Sequence, residues 1–216
     1  MRIIKRIVRL LPLSLKFKLI DFILKQQGIE IKEASNEDLL HLAYRLRWEI
    51  YSAEDYINPD NYPNKELTDK YDKNAVTFLA VKKGTPIGSV RLIFNSDLGF
   101  PVFNAFNVIS FPFSFSPSEA AEISKLCLKK EYRGGIISLG LLEKALETAK
   151  ERKLKYLVLG TTMKLRNHFY KMLGIELQNI SIGEPGPKEL DERGIAAERY
   201  FKRFELLPFI FKIDKN

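Results

Sequence analysis

The sequence predicts one α/β domain with a sizeable core, led by a basic amphipathic helical segment. Three observations carry this. The 216 residues are 45% hydrophobic, which suits one core without demanding two. Apolar residues alternate at strand spacing in some stretches and recur at helical spacing in others. Positive charge gathers at one end: Arg2, Lys5, Arg6, Arg9, Lys16 and Lys18 lie within the first twenty residues, where no acid occurs, leaving +2 of the net +8 for the rest of the chain. A domain that reads nucleic acid spreads its cations over a folded face, so nucleic acid is not expected as a partner.

Within that leading segment charges interrupt the apolar residues every few positions. No run approaches the roughly 20 apolar residues of a membrane-spanning helix, and no A-x-A cleavage site follows. Pro12 divides the segment in two, with Ser14 placed to cap the second piece and Gly28 just past its end. Cations interleaved with Ile, Leu and Phe suit a helix lying on an anionic membrane surface through residues 1–25. The same pattern suits helices that cover the protein's own sheet, and the two uses are compatible. The boundary falls between a segment over 1–28 and a domain over 29–216.

The domain opens with an alternating run over 29–34, expected as a strand. Ser35 with Asp38 has the form of a capping box for a helix whose apolar positions are Leu39, Leu40, Leu42, Ala43, Leu46 and Ile50. Residues 52–73 have neither period and hold Pro59, Asn61, Pro63 and Asn64, an expected long loop suited to covering a substrate. Runs over 75–81 and 87–94 around Lys-Lys-Gly-Thr-Pro predict a hairpin. Residues 99–117, dense in Phe and Pro, are expected to be irregular, and either line an apolar pocket or pack as core under a loop. A strand over 119–128, a turn over 129–135, a strongly amphipathic helix over 136–153, a short strand over 156–160 and a helix over 163–173 stopped by Gly174 follow. Strand-like stretches over 175–182 and 199–213 flank a loop rich in Pro and Gly.

The single cysteine, Cys127, rules out a disulfide framework, sits in an apolar run as packing, and fits a reducing cytosol. His41 and His168 have no metal-ligand spacing, so no metal site is expected. No nucleotide-binding loop, serine elbow or zinc motif is present.

The order of elements, and three segments within it, resemble the GNAT acyltransferases. Residues 83–92 (KGTPIGSVRL) resemble that family's second hairpin. Residues 122–135 (EISKLCLKKEYRGG) resemble its central strand and the phosphate turn after it, and residues 169–175 (FYKMLGI) the helix that ends beside the thioester sulfur. Within the superfamily the chain is similar to the acyl-homoserine-lactone synthases, long-chain N-acyl amino acid synthases and exosortase-associated acyltransferases. That likeness rests on Leu46-Arg47 with Tyr51, Asp69-Lys70-Tyr71-Asp72, Val90-Arg91-Leu92 and Glu122-Ile123-Ser124-Lys125. Gly183-Glu184-Pro185-Gly186-Pro187 and Arg193-Gly194 resemble the relatives that are not lactone synthases. The chain has no Trp in the loop after the first domain helix and has Lys125 where the lactone synthases have Arg, and both departures favour a different amine acceptor.

The resemblance implies a GNAT fold, with a mixed central sheet flanked by helices. It implies an N-acyltransferase that moves an acyl group, long-chain on this likeness, from a pantetheine thioester to the amine of an amino acid or related small molecule. Acyl carrier protein or acyl-CoA is the expected co-substrate, with no permanently bound cofactor, and the location is cytoplasmic, peripheral on the inner membrane face. An enzyme of the ornithine-lipid type and a non-catalytic acyl- or membrane-binding protein on the same scaffold are the alternatives. Glu122 is the candidate general base, or a structural partner of a charge cluster of Arg47, Asp69, Asp72, Arg91 and Ser124. Tyr170 stands where many GNAT enzymes protonate the leaving sulfur, or is ordinary core. Backbone N–H groups of Leu126 and Cys127 are candidate oxyanion donors, with Leu128 beside the thioester arm. Arg133, Gly134 and Gly135 form a phosphate cradle before a helix, with Ile136 in place of the family's usual Gly. One phosphate, as in the arm of acyl carrier protein, suits that shortened cradle better than a pyrophosphate.

Overall fold

The computed structural model describes residues 11–183 and 205–213. Helix α1 (Leu13–Gln26) starts directly after Pro12, with no side-chain cap. Ser14, expected as the cap, lies inside the first turn: the fixed φ of Pro12 already directs the chain into the helix. Gly28 takes φ 66° just past the helix end, as expected, and turns the chain into β1 (Ile29–Glu33). The next helix, α2 (Glu37–Ala53), is capped by Asn36, whose side chain accepts from the Leu39 N–H at 2.9 Å. The expected Ser35–Asp38 box is thus displaced by one residue, because Asn caps as well as Ser.

Of the expected loop, residues 52–53 complete α2, and the remainder holds only short 3₁₀ helices, at Pro59–Asn61 and, overlapping the loop's end, Lys70–Asn74. Strands β2 (Ala75–Lys82) and β3 (Thr85–Phe94) form the predicted hairpin. Its turn is tighter than the Lys-Lys-Gly-Thr-Pro run suggests, with Lys83 and Gly84 both at positive φ between the paired Lys82 and Thr85. The aromatic stretch contains a short helix, α3 (Pro101–Ala105), and a short strand, β4 (Val108–Ser110). Strand β5 (Ala120–Leu128), helix α4 (Ile137–Glu151), strand β6 (Tyr156–Thr161) and helix α5 (Met163–Leu173) come next, with Gly174 at φ 75° ending α5. The tail supplies β7 (Gln178–Asn179), β8 (Ser181–Ile182) and β9 (Leu207–Lys212). Residues 184–204, with most of the expected Pro/Gly loop and the start of the last strand-like run, lie outside the described residues.

Seven strands form one sheet in the order β1-β2-β3-β5-β6-β9-β7, and β4 pairs with β8 apart from it. Among the described residues only the β5–β6 pair is parallel. Alternation along the strands gives each face its own core. One face, with Phe78, Val90, Leu92, Ile123 and Leu157, packs under α1, α4 and α5. The other packs at one end under α2, through Leu79, Val81 and Cys127. At its other end the aromatic stretch covers Ile93, Val158 and Ile210. There Phe113 stacks on Tyr156 with ring centroids 5.0 Å apart, so these rings pack as core under the loop.

The leading segment is joined to this core, since Phe17, Ile20 and Leu24 of α1 are buried in it. Gly140 of α4 allows the contact: a Cβ there would lie 2.6 Å from Leu24 Cδ1 and 2.7 Å from Ile31 Cδ1. Gly140→Val should therefore push α1 outward and lower the unfolding free energy in urea by about 1–3 kcal/mol. Unchanged stability would mean that α1 does not need this close approach.

Candidate active site

The site is organised by two irregularities of β5. The first is its pairing with β6, which covers Ala120↔Tyr156 to Glu122↔Val158 and then ends, although β5 runs on to Leu128 and β6 to Thr161. Beyond Glu122 the strands diverge, and among the described residues β5 is paired there with β3 alone. The second is a bulge. Arg91 pairs with Ser124 and Ser89 with Cys127, so β5 carries one extra residue between these pairs, and Lys125 takes φ 50°. The bulge adds Lys125 to the face that already presents Ser124. Lys125 reaches Asp69 at 3.7 Å and lies over the Tyr51 ring at 5.2 Å.

On this face the predicted charge cluster assembles. Arg91, 1% exposed, grips Asp69 with both terminal nitrogens at 2.6 and 3.0 Å, reaches Asp72 at 2.9 Å, and donates Nε–H to Ser124 Oγ at 2.9 Å. Arg47, completely buried, donates to Asp72 at 2.8 Å and to Thr77 Oγ1 at 2.7 Å. The two carboxylates are placed by a reciprocal cap: the Asp69 N–H donates to Asp72 Oδ2 and the Tyr71 N–H to Asp69 Oδ1. Burial is the largest single influence on Asp69 and Asp72 and opposes their ionisation, but Arg91 together with Lys125 at Asp69 and Arg47 at Asp72, aided by hydrogen bonds, outweighs it and holds both below the usual carboxylate range. The same two carboxylates raise Arg91 above its ordinary value against its own burial.

Glu122 lies at the fork, 3% exposed, outside any ion pair among the described residues. Its Oε2 accepts the Val102 N–H at 2.9 Å, a donor left free in the first turn of α3. Burial, only partly offset by that hydrogen bond and by Arg91, pushes its carboxyl up to about 8. Glu122 is therefore mainly neutral at pH 7 and is not a bonded member of the Arg–Asp network.

The other predicted residues are placed as follows. Leu126, Cys127 and Leu128 lie on the diverging part of β5; Cys127 is buried 3.4 Å from Ser89 Oγ, and burial pushes its thiol up. Arg133 donates Nε–H to Leu128 O at 3.0 Å and pairs with Glu54 at 2.8 Å, so its guanidinium ties the turn to the end of β5. Gly134 and Gly135 precede α4, whose N-cap, Ile136, supplies no side-chain acceptor. Tyr170 is 60% exposed on α5, and its own carbonyl accepts from Gly174 N–H. The expectation that it is core does not hold, because Phe169 and Met172 occupy the buried side of α5. On the opposite sheet face from the charges, Ile123, Leu146, Leu157, Leu159, Phe169 and Leu177 help line a wholly apolar cavity of about 30 Å³. Lys125 was singled out as a departure but not assigned to the charge cluster, and Thr77 and the Val102 N–H were missed as site groups. The first depends on strand register and the others on contacts across the fold, none of which leaves a local sequence signal. Among the described residues no cluster of His, Cys, Asp and Glu can hold a metal ion.

The profile of the family of the N-acyl amino acid synthase FeeM matches residues 42–179. No curated protein matches the chain. Among solved structures the chain is similar to the CoA-dependent acyl-homoserine lactone synthase BjaI, with TM-score 0.59 and 20% identity over 87% of this chain and 84% of that one. It is also similar to FeeM from uncultured soil microbes (TM-score 0.52, 15% identity, 86% and 90% covered). A third similar structure is a GNAT-family acetyltransferase of Staphylococcus aureus (TM-score 0.51, 19% identity, 86% and 99% covered). These likenesses give the fold, which is the GNAT fold. Truncating Arg91 within it leaves two half-buried carboxylates without their main cation. Arg91→Met should cost about 3–5 kcal/mol in chemical denaturation, and a loss below 1 kcal/mol would contradict the pairing described.

Proposed function

The chain belongs to the N-acyl amino acid synthase FeeM family and is an N-acyltransferase; from that premise we propose that it moves a long-chain fatty acyl group from a pantetheine thioester to the amine of an amino acid or related small molecule. The observation that carries this reading is the fork at Glu122, which opens between a charge cluster on one sheet face and an apolar cavity on the other. The thioester lies in the fork, with its chain directed to the cavity and its carbonyl toward the acceptor. BjaI, of similar fold, is CoA-dependent and was solved with SAM and isopentyl-CoA, which agrees with a thioester donor. Backbone groups of β5 released from the β6 ladder need partners, and the amides of a pantetheine arm supply them.

The acceptor amine attacks the thioester carbon; a C–N bond forms, the C–S bond breaks, and one proton passes from nitrogen to the departing sulfur. Glu122, once ionised, takes the amine proton directly or through a water. Leu126 or Cys127 N–H stabilises the oxyanion, and Tyr170 returns a proton to the thiolate. Since Arg133 is already engaged, Gly134, Gly135 and the first turn of α4 hold the phosphate through backbone N–H groups. One phosphate fits this reduced cradle, so acyl carrier protein is favoured over coenzyme A.

The N-terminal segment, on this proposal, brings the enzyme to the inner membrane face. No helix among the described residues is long and apolar enough to cross a membrane. On α1, however, Leu15 and Phe22 are 47% and 59% exposed one heptad apart, with Lys18 exposed between them. Lys16 does not belong to this surface, because its side chain is turned inward and buried. Arg2, Lys5, Arg6 and Arg9 lie outside the described residues.

Mass spectrometry of lipid extracts from expressing cells against empty vector should show N-acylated amino acids, and their absence with folded protein present would refute the activity proposed. With the acceptor so identified, turnover should rise with pH towards about 8 as Glu122 ionises. Glu122→Gln should flatten that limb and lower turnover at least about tenfold, and Tyr170→Phe should slow turnover most with poor leaving thiols. A wild-type rate and pH profile in Glu122→Gln would return Glu122 to a structural role, and an unaltered rate in Tyr170→Phe would remove the acid assignment.

For the membrane claim, sedimentation with liposomes should increase with anionic lipid and decrease with salt, since each cation near such a surface contributes about 1 kcal/mol. Removal of residues 1–10 together with Phe22→Ser should abolish it. Full-length protein that ignores anionic vesicles at low salt would end the proposal.

A further inference from the structure

The inner face of α1 carries one residue that its apolar pattern does not predict. Lys16 stands one turn before Ile20, on the side that buries Phe17, Ile20 and Leu24, and is itself only 6% exposed. Its ammonium forms no ion pair among the described residues. It donates instead to the carbonyl of Leu173, 3.1 Å away and 157 positions along the chain. Leu173 is the last residue of α5, where backbone carbonyls lack helical partners and the helix dipole favours a cation. Gly174 follows in the left-handed region, with Lys16 Nζ 3.7 Å from where its Cβ would be. Burial lowers the ammonium's pKa, so the position costs more than an apolar side chain would there.

What Lys16 holds is the wall of the apolar cavity. Phe169 on α5, and Ile175 and Leu177 just beyond Gly174, all line it. The cavity, about 30 Å³, has room for about two water molecules, far less than a fatty acyl chain needs. A long chain can enter only if the end of α5 and residues 175–177 move back from β6.

We propose that Lys16 is a specificity-determining positioning residue: by anchoring the C-terminal end of α5 to the N-terminal helix, it fixes the cavity wall and limits the acyl chain length accepted. This rests on the acyl-thioester reading above and extends it to a residue that touches no substrate.

The test compares wild type, Lys16→Met and Lys16→Arg in two measurements. In hydrogen–deuterium exchange without ligand, amides of residues 170–177 should exchange at least about tenfold faster in Lys16→Met, with the β3 peptide over 87–93 unchanged. Lys16→Arg, which keeps a donor, should restore most of the protection. In titrations with acetyl-, octanoyl- and palmitoyl-pantetheine, Lys16→Met should shift the palmitoyl-to-acetyl affinity ratio at least fivefold toward palmitoyl, as the freed wall recedes. Unchanged exchange over 170–177, or an equal rise over 87–93, would overturn the anchoring. Local loosening with an unaltered chain-length ratio would overturn the specificity role. Wild-type protein that binds none of the three probes would overturn the donor reading itself and the chain-length role with it, an outcome the exchange data distinguish from a failure of the anchor.

Discussion

Past Glu122 the strand β5 is held, among the described residues, by β3 alone, because its parallel ladder with β6 ends at Glu122↔Val158 while both strands continue. A sheet normally closes its backbone hydrogen bonds strand by strand, and leaving such groups unpaired in an interior is costly. Here the separation leaves an edge of β5 open within the sheet rather than at its margin. A thioester has the matching character, with a polar reacting centre and an apolar chain that need opposite environments a few ångströms apart.

The remaining structure fixes what borders that opening. Arg47 and Arg91 come from different elements, and each is nearly or wholly buried. Asp69 and Asp72 pair with both from a single capped turn, so α2, the long loop, β2 and β3 are tied together by one network. A buried network of this kind is costly if any member is missing, and it favours one arrangement of the loop. Glu122 sits beside the network without a salt bridge among the described residues and stays mainly neutral at pH 7. Two carboxylates fully ionised and one poised near neutrality follow from whether a guanidinium is bonded to the group or only nearby.

Much of this order was legible in the sequence because it is local. The β2–β3 hairpin follows from alternation around Lys83-Gly84. Helix α4 follows from its apolar stripe, and the end of α5 from Gly174. The gathering of Arg47, Asp69, Asp72, Arg91 and Ser124 was legible only through resemblance to known acyltransferases, since the residues are distant in the chain. The bulge at Lys125 was not legible, because an extra residue in a strand is defined by its partner's register. Nor was the role of Lys16, which reads as one more cation of a basic segment until the fold turns it inward onto Leu173. The cap of α2 was missed by one residue, where Ser35 and Asn36 offer the same chemistry and only the chain path decides. For the bulge and for Lys16 the deciding interaction crosses between elements.

The account's central claim is that the opening between β5 and β6 receives the acyl thioester. A crystal structure of the protein with a non-hydrolysable acyl-pantetheine tests it most directly. The account predicts the pantetheine amides along β5 beyond Glu122, the carbonyl oxygen at Leu126 or Cys127 N–H, and the chain entering toward Ile123, Leu157 and Phe169. A ligand bound elsewhere, with the β5–β6 opening closed or filled by side chains, would contradict it.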